Sequence, residues 1–482
     1  MAELAKLLID GKWVPASDGA SAVAVDPGRD RSVGAYAVGT IDDMDAAIAA
    51  ANQTFKATDW RRSPRVRAKV LLEMAERLQA NQQVIAKAIS AENGKLYREA
   101  AHEVAVSVSE LQYYAGLARN IFGRVMEVEP NLYSTLAMEP LGVAGVIVPW
   151  NAPITLLVRS LAPAIAAGCT TVVKPADQTA IVNAAFFELF DDVEALPDGA
   201  VNVVSGPVPV SERLVQSDDV NVISYTGSTH VGKLIMAAGA ATLKRMNLEL
   251  GGSAPCIILP DADVSTAVAG ISRACFAHAG QVCMAASRVF VPRARLDEFQ
   301  AAFSARFRDT NVGFQEEDAA DMGPVIDSSS RDRVLGMVKS MKEDGEVLVQ
   351  GEAIEGKYAS GAFLSPSLVH AREKDSPMLT QEVFGPAMSL IAYDDEQEAV
   401  EGANDTRYGL CASVWTKDYG SGQRVASQVE AGTVWINHHM RTHAEIEVGG
   451  YKESGVGRLH GVQGLTEFMH TKAIAWMQAE AS

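Results

Sequence analysis

Between residues 142 and 252 the hydrophobic pattern keeps changing its period, and this constrains the fold more than any other feature of the chain. The segments "GVAGVIVPW" (142–150), "TTVVKPA" (170–176), "AVNVVSG" (200–206), "VISYTGS" (222–228) and "MNLELGG" (246–252) are short and rich in apolar residues. Runs of this kind suit strands buried on both faces. Helical segments lie between them, including one over 229–240. Strands separated by helices make βαβ units and hence a parallel sheet. A second strand–helix series runs from "PCIILP" (255–260) to "AGTVWIN" (431–437).

Outside these series, 42–59 and 63–93 read as helices; Ser63 suits the cap of the second and Pro64 its first turn. "RVMEVEPNLYSTLAMEP" (124–140) alternates like a strand pair turning near Pro130–Asn131. No repeat, low-complexity tract or linker divides the chain. Its 482 residues suit about three domains with broad shared interfaces.

Charge narrows the partners. The net charge of −18 argues against nucleic acid and anionic membrane surfaces, which select basic patches. The longest apolar stretch, "PLGVAGVIVPW", is broken by Gly and Pro and falls short of a membrane span. The N-terminal residues lack the apolar region of a signal peptide. Five widely spaced cysteines with no CxxC pair make neither a disulfide framework nor a zinc ribbon, so a cytoplasmic, reducing compartment is expected.

Four short stretches invite chemistry. In "SYTGSTHVG" (224–232) a strand turns through Gly227 and Ser228 into a helix, whose free N–H groups suit a phosphate; alone, it is an ordinary βα turn. In "VVKPADQTA" (172–180) Lys174 and Asp177 stand at a carboxyl strand end, where α/β sheets bind ligands, and an acid there accepts from ribose hydroxyls; loops also favour these residues. In "LELGGSAP" (248–255) Glu249 lies between leucines, where poor solvation raises a carboxyl pKa toward a general base's range, unless it points at water. In "FAHAGQVCMAASR" (276–288) Cys283 has no partner cysteine; alone, it is as readily a small buried hydrophobe. Cys169, Cys256, Cys275 and Cys411 read as core residues.

Taken in order, the motifs resemble the NAD(P)-dependent aldehyde dehydrogenase superfamily over nearly the whole chain. "PWNAP" (149–153), "KPAD" (174–177), "YTGSTHVG" (225–232), "LELGGSAP" (248–255), "GQVC" (280–283), "QEVFGP" (381–386), "NDTRYGL" (404–410), "GTVWIN" (432–437) and "GGYKESGVGR" (449–458) follow the family's sequence of motifs. Glu249 precedes Cys283 by 34 residues, a spacing similar to the family's. Three features depart from the pattern: Asp177 stands for the commoner Glu, "PVPV" follows Gly206, and "EV" at 447–448 replaces a Pro-aromatic pair.

The resemblance implies an aldehyde dehydrogenase-like α/β fold with two parallel-sheet domains. Residues 1–121 and 141–249 would form a Rossmann-like NAD-binding domain and 250–441 the catalytic domain. Residues 442–467 would return to close the active site, and 122–140 with 468–482 would form oligomerisation strands. It implies Cys283 as nucleophile, Glu249 as base for the hydrolytic water, and Asn151 as oxyanion donor. Val148, Pro149, Trp150, Lys174, Asp177, Gly206, Gly227, Ser228, Leu250, Glu382 and Phe384 would bind NAD. Ala152, Leu156, Arg159 and Arg441 would meet the substrate. Members acting on succinic semialdehyde, and some acting on hydroxylated aromatic aldehydes, look similar in carrying an Arg at the Arg159 position. A semialdehyde or hydroxybenzaldehyde is therefore expected, unless Arg159 pairs with Glu445 or Glu447. A CoA-acylating enzyme and a non-catalytic protein on the same fold are the alternatives. The expected partners are the aldehyde and further copies of the chain, a homodimer or dimer of dimers. His439 and His443, four apart, invite a metal reading, but none is expected because no third ligand type lies near.

Overall fold

A computed structural model describes residues 4–372 and 375–478, with the side chains of 342–344 outside the description. The ends of the expected elements at 1–3 and 479–482, and residues 373–374 of the expected catalytic domain, also lie outside it.

The first strand–helix series builds an eight-stranded sheet. Its five inner strands, Arg245–Glu249, Val222–Thr226, Val143–Ile147, Thr170–Lys174 and Val201–Val203, are parallel and adjacent in that order. Gly455–Val456 closes one edge antiparallel, and Leu7–Ile9 with Lys12–Val14 closes the other. The apolar runs have a physical cause. Along the central strand Ala144, Val146 and Val148 pack into one core, whereas Val143 and Ile147 pack into the opposite one. Both faces are covered, so both sets must be apolar.

The chain leaves Val143–Ile147 toward Thr170–Lys174 and Val201–Val203, then returns to the other side at Val222–Thr226. The strand order therefore reverses at Val143–Ile147, and the carboxyl ends there open a crevice for ligands.

Five residues after Glu249, the chain enters a seven-stranded sheet at Ala254–Ile258. Its order is Gly345–Val349, Ser367–Ala371, Ala387–Tyr393, Ala286–Pro292, Ala254–Ile258, Cys411–Trp415 and Thr433–Ile436, parallel except for the first strand. Arg124–Glu129, Leu132–Pro140 and Met469–Met477 form a separate antiparallel sheet.

The segment 63–93 is not one helix. Pro64–Ala80 and Gln82–Asn93 meet at Asn81, whose side-chain amide donates back to the Arg77 carbonyl at 2.9 Å. Asparagine competes in this way with the helical ladder. Ser63 makes no side-chain cap bond. Asn131 turns the 124–140 pair with a φ of 65°. The helix Pro153–Ala167 runs on through Pro163.

Candidate active site

Asn151 follows the switch-point strand and precedes the helix Pro153–Ala167. That helix has no side-chain cap of its own. Glu103, from the helix Tyr97–Ala118, supplies it by accepting from the N–H groups of Ile154 at 2.9 Å and Thr155 at 3.2 Å. Lys95 pairs with Glu103 and holds it there. Asn93 donates to the Trp150 carbonyl at 3.2 Å. Asn151 is thus fixed from several sides; its Nδ2 donates to the Gln281 carbonyl at 2.9 Å, and its second amide hydrogen remains available.

Gln281 belongs to the loop that carries the thiol. After the helix Val264–Phe276 the backbone takes positive φ at three successive residues, His278 (46°), Ala279 (53°) and Gly280 (72°). A Cβ on Gly280 would stand 2.2 Å from the Gly385 carbonyl oxygen, so glycine is required there. The buried Gln281 side chain donates to the His278 carbonyl at 3.1 Å and accepts from the Ile326 N–H at 2.8 Å. Of the five free cysteines only Cys283 is partly exposed; Cys169, Cys256, Cys275 and Cys411 are buried. Burial pushes the Cys283 thiol up to about 12; Arg159 opposes this shift, and Glu382 and Glu249 add to it.

Glu249 ends its strand with 3% of its surface exposed, and its Oε1 has no hydrogen-bond partner among the described residues. Burial pushes its carboxyl up to about 7, against the opposing charges of Arg159 and Arg458. Arg159 is also buried. Its Nη2 lies 3.4 Å from Thr226 Oγ1, its Nε has no partner, and it forms no ion pair with Glu445 or Glu447 among the described residues. Its charge acts on both the thiol and the carboxyl.

On the other side of the crevice, Asp177 accepts from the Gly206 N–H at 3.2 Å and from Lys174 Nζ at 3.5 Å. Gly227 and Ser228 lead into the helix Thr229–Gly239, and Ser228 Oγ caps it by accepting from the Val231 N–H at 3.3 Å. Val148 donates to the Lys174 carbonyl at 3.2 Å and Leu250 to the Ser454 carbonyl at 2.9 Å. Glu382 accepts from the Gly252 N–H at 3.2 Å, and burial pushes its carboxyl up to about 7. Phe384, at a φ of 46°, packs edge-on against Trp150, which follows the half-buried Pro149, with ring centroids 5.7 Å apart. Ala152 is half-buried and Leu156 buried; the Arg441 side chain is exposed, and its carbonyl accepts from Trp435 Nε1 at 3.0 Å.

Nucleophile, amide donor and poorly solvated base therefore stand where the two sheets meet, beside a strand-end crevice. The profile of the aldehyde dehydrogenase family matches residues 13–474. The chain belongs to the aldehyde dehydrogenase family.

Several relatives align over nearly their full length. A phenylacetaldehyde dehydrogenase of Pseudomonas fluorescens is 35% identical over 97% of this chain and 95% of its own. A betaine aldehyde dehydrogenase of Bacillus subtilis (strain 168) is 35% identical over 97% of this chain and 96% of its own. The crystal structure of a betaine aldehyde dehydrogenase from Staphylococcus aureus in complex with NAD+ superposes with a TM-score of 0.96, at 32% identity, over 98% of this chain and 95% of that one. The fold is accordingly the aldehyde dehydrogenase α/β fold, and the chain is an oxidoreductase of that family.

Within this aldehyde dehydrogenase, several supporting residues escape a reading of sequence alone. Glu103, Gln281 and Asn93 act across long separations, and only "FGP" hinted at Gly385. His439 and His443 do not act as a pair. His439 is buried, bonded through Nε2 to the Met284 carbonyl at 2.8 Å and through Nδ1 to Ser413 Oγ at 2.9 Å, whereas His443 is exposed. Burial lowers the His439 imidazole to about 4, and its bonds brace the residue after Cys283. Among the described residues no helix is long and apolar enough to cross a membrane.

Proposed function

We propose that this aldehyde dehydrogenase uses NAD to oxidise an aldehyde with a polar far end, through a thioester on Cys283. One observation carries the reading: the partly exposed Cys283, the Asn151 amide and the buried Glu249 Oε1 without a partner belong to one site.

The crevice fits a dinucleotide. Asp177 and Lys174 offer a ribose an acceptor beside a donor. Gly227 and Ser228 present backbone N–H groups at a helix start, as a pyrophosphate requires. Glu382, Phe384 and Trp150 would place the nicotinamide end, with Val148, Pro149, Gly206 and Leu250 lining the rest. When bound, NAD supplies the hydride acceptor.

The chain's own residues do the remainder. The Cys283 thiolate adds to the aldehyde carbon and forms a C–S bond, leaving the charge on oxygen. The Asn151 amide and the Cys283 N–H stabilise that oxyanion; losing one such donor costs about two to three powers of ten in rate. Loss of hydride from the carbon restores the carbonyl as a thioester. Glu249 takes a proton from water, the resulting hydroxide attacks the thioester, and the thiolate leaves as the acid is released.

The presence of Glu249 supports hydrolysis rather than transfer to CoA. Arg159, buried near the reacting groups, supports a semialdehyde or hydroxylated aromatic aldehyde, with Ala152, Leu156 and Arg441 as further wall residues. In this reading residues 1–121 and 141–249 hold NAD, 250–441 carry the thiol and 442–467 close the site. The strands within 122–140 and 468–482 join copies of the chain. Free cysteines without a disulfide support a cytoplasmic location. Steady NADH release from an aldehyde panel without CoA tests the reaction; release that depends on added CoA refutes hydrolysis.

A further inference from the structure

The helix Tyr97–Ala118 reaches both loops of the reacting centre. Glu103 accepts from the Ile154 and Thr155 N–H groups and so seats the helix start that follows Asn151. Glu99 stands four residues earlier on the same helix, on the same face and about 6 Å of rise away. Its Oε1 accepts from the His278 N–H at 3.0 Å. His278 opens the run of three positive-φ residues that leads toward Cys283.

These contacts close a ring. From the His278 N–H it passes to Glu99, along one helical turn to Glu103, and across to Ile154. Three residues back stands Asn151, whose Nδ2 donates to the Gln281 carbonyl. Gln281 in turn donates to the His278 carbonyl from its N–H and from its side chain, both at 3.1 Å. Cys283 lies two residues beyond Gln281. Thiol and oxyanion donor are therefore both held from one turn of one helix.

A local role accounts for only one oxygen of Glu99. Its Oε2 accepts from the Leu96 N–H at 3.3 Å, an ordinary cap at the helix start. Such a cap does not require the Oε1 bond, which spans 179 positions. The turn does require an anchor. His278 holds a φ of 46°, a strained conformation for a residue with a Cβ, and neither nitrogen of its buried imidazole has a partner among the described residues. Its N–H bond to Glu99 ties this residue to the helix.

Resting on the aldehyde oxidation proposed above, we infer that Glu99 is a positioning residue for thioester formation, holding the turn of Cys283 in place against the Asn151 amide that Glu103 seats. A misplacement of about 1 Å between reacting groups costs about a hundredfold in rate. The effect of Glu99 therefore falls on the chemical step and not on the binding of NAD.

The test is the rate of the NADH burst from 4-hydroxybenzaldehyde and from succinic semialdehyde. Glu99→Ala should slow it about ten- to a hundredfold, with the KM of the aldehyde and the affinity for NAD close to wild type. Leu96→Pro is the control for the cap. Leu96 has a φ of −58°, which suits proline, and the change removes the capping N–H while leaving the His278 bond, so its burst should match wild type. In an Asn151→Ala background Glu99→Ala should cost much less than in wild type, because the group it aligns is gone; independent roles would give equal losses. If Glu99→Ala does not fold, Glu99→Met, similar in size and equally unable to accept, takes its place. An unchanged burst in the Glu99 variant, an equal loss in Leu96→Pro, or the same loss with and without the Asn151 amide overturns the inference while aldehyde oxidation stands. Absence of NADH from both aldehydes in wild type overturns the parent reading and this inference with it.

Discussion

The Asn151 side-chain amide donates to the Gln281 carbonyl across 2.9 Å, so the loop ending the first sheet's central strand is tied directly to the loop carrying Cys283. The two residues are 130 positions apart. Oxyanion donor and nucleophile therefore move together, and their spacing depends on how the two sheets are seated. Asn151→Ala should lower kcat by about two to three powers of ten, with NAD affinity, read by fluorescence titration, nearly unchanged.

The thiol assignment separates Cys283 from the buried cysteines. Cys283→Ala should abolish NADH release and retain NAD binding. Cys275→Ala, at a site 1% exposed inside the helix Val264–Phe276, should leave turnover close to wild type. Substantial turnover by Cys283→Ala contradicts the assignment.

The thiol is also pushed up to about 12 by burial in the free enzyme. Below that value each pH unit raises the thiolate fraction tenfold, so alkylation by iodoacetamide should climb in proportion from pH 7 to 9. A plateau below pH 8 would show a thiol already activated. Glu249 has the same requirement in a lower pH range. Its carboxyl, pushed up to about 7, must be ionised to take a proton from water. Thioester hydrolysis should therefore fall as the pH drops through about 7. A hydrolysis rate flat from pH 5.5 to 8 removes Glu249 from that step.

Gly280 gives a structural check. Gly280→Ala places a side chain at a φ of 72° and 2.2 Å from the Gly385 carbonyl. The dihedral alone costs about 1–2 kcal/mol, and the clash must also displace the loop that carries Phe384. Turnover should fall more steeply than the thermal midpoint. Unaltered kinetics would mean that the two loops do not constrain each other.

How much of this was legible follows from the range of each interaction. The strand runs were readable because burial on both faces imposes apolar residues at every position, as at Val143–Ile147. Glu249 and Cys283 could be singled out because each sits in a short motif. Glu103 could not, since it caps a helix by accepting from the Ile154 N–H, 51 residues away, and nothing near it in sequence signals that role. The break at Asn81 was missed because the apolar period continues through it, while the Asn81 side chain bonds back to Arg77. The bonds of His439 to the Met284 carbonyl and of Arg159 to Thr226 Oγ1 join residues far apart in sequence, and no local pattern signals either.

Asp177 bears on the choice of dinucleotide. Its carboxylate, beside Lys174 and the Gly206 N–H, should accept from a ribose hydroxyl and repel a 2′-phosphate. NAD should be preferred over NADP in kcat/KM, and Asp177→Asn should narrow the ratio. A wild-type preference for NADP contradicts this.

Assembly is testable on the small sheet. All six residues of Arg124–Glu129, Val125 and Val128 among them, are exposed along one edge, as are Ile474 and Trp476 on the opposite edge strand Met469–Met477. Apolar edge strands of this kind seek partners. Light scattering at micromolar concentration should give a dimer or tetramer, and a monomer would refute the proposed role of these strands.

The central claim is that a thioester forms on Cys283 and that Glu249 is needed to resolve it. Glu249→Gln mixed with aldehyde and NAD should release close to one equivalent of NADH rapidly and then nearly stop. Peptide mass analysis of the quenched protein should find the acyl group on Cys283. A burst with no adduct, an adduct on another cysteine, or continued turnover at the wild-type rate would contradict the account.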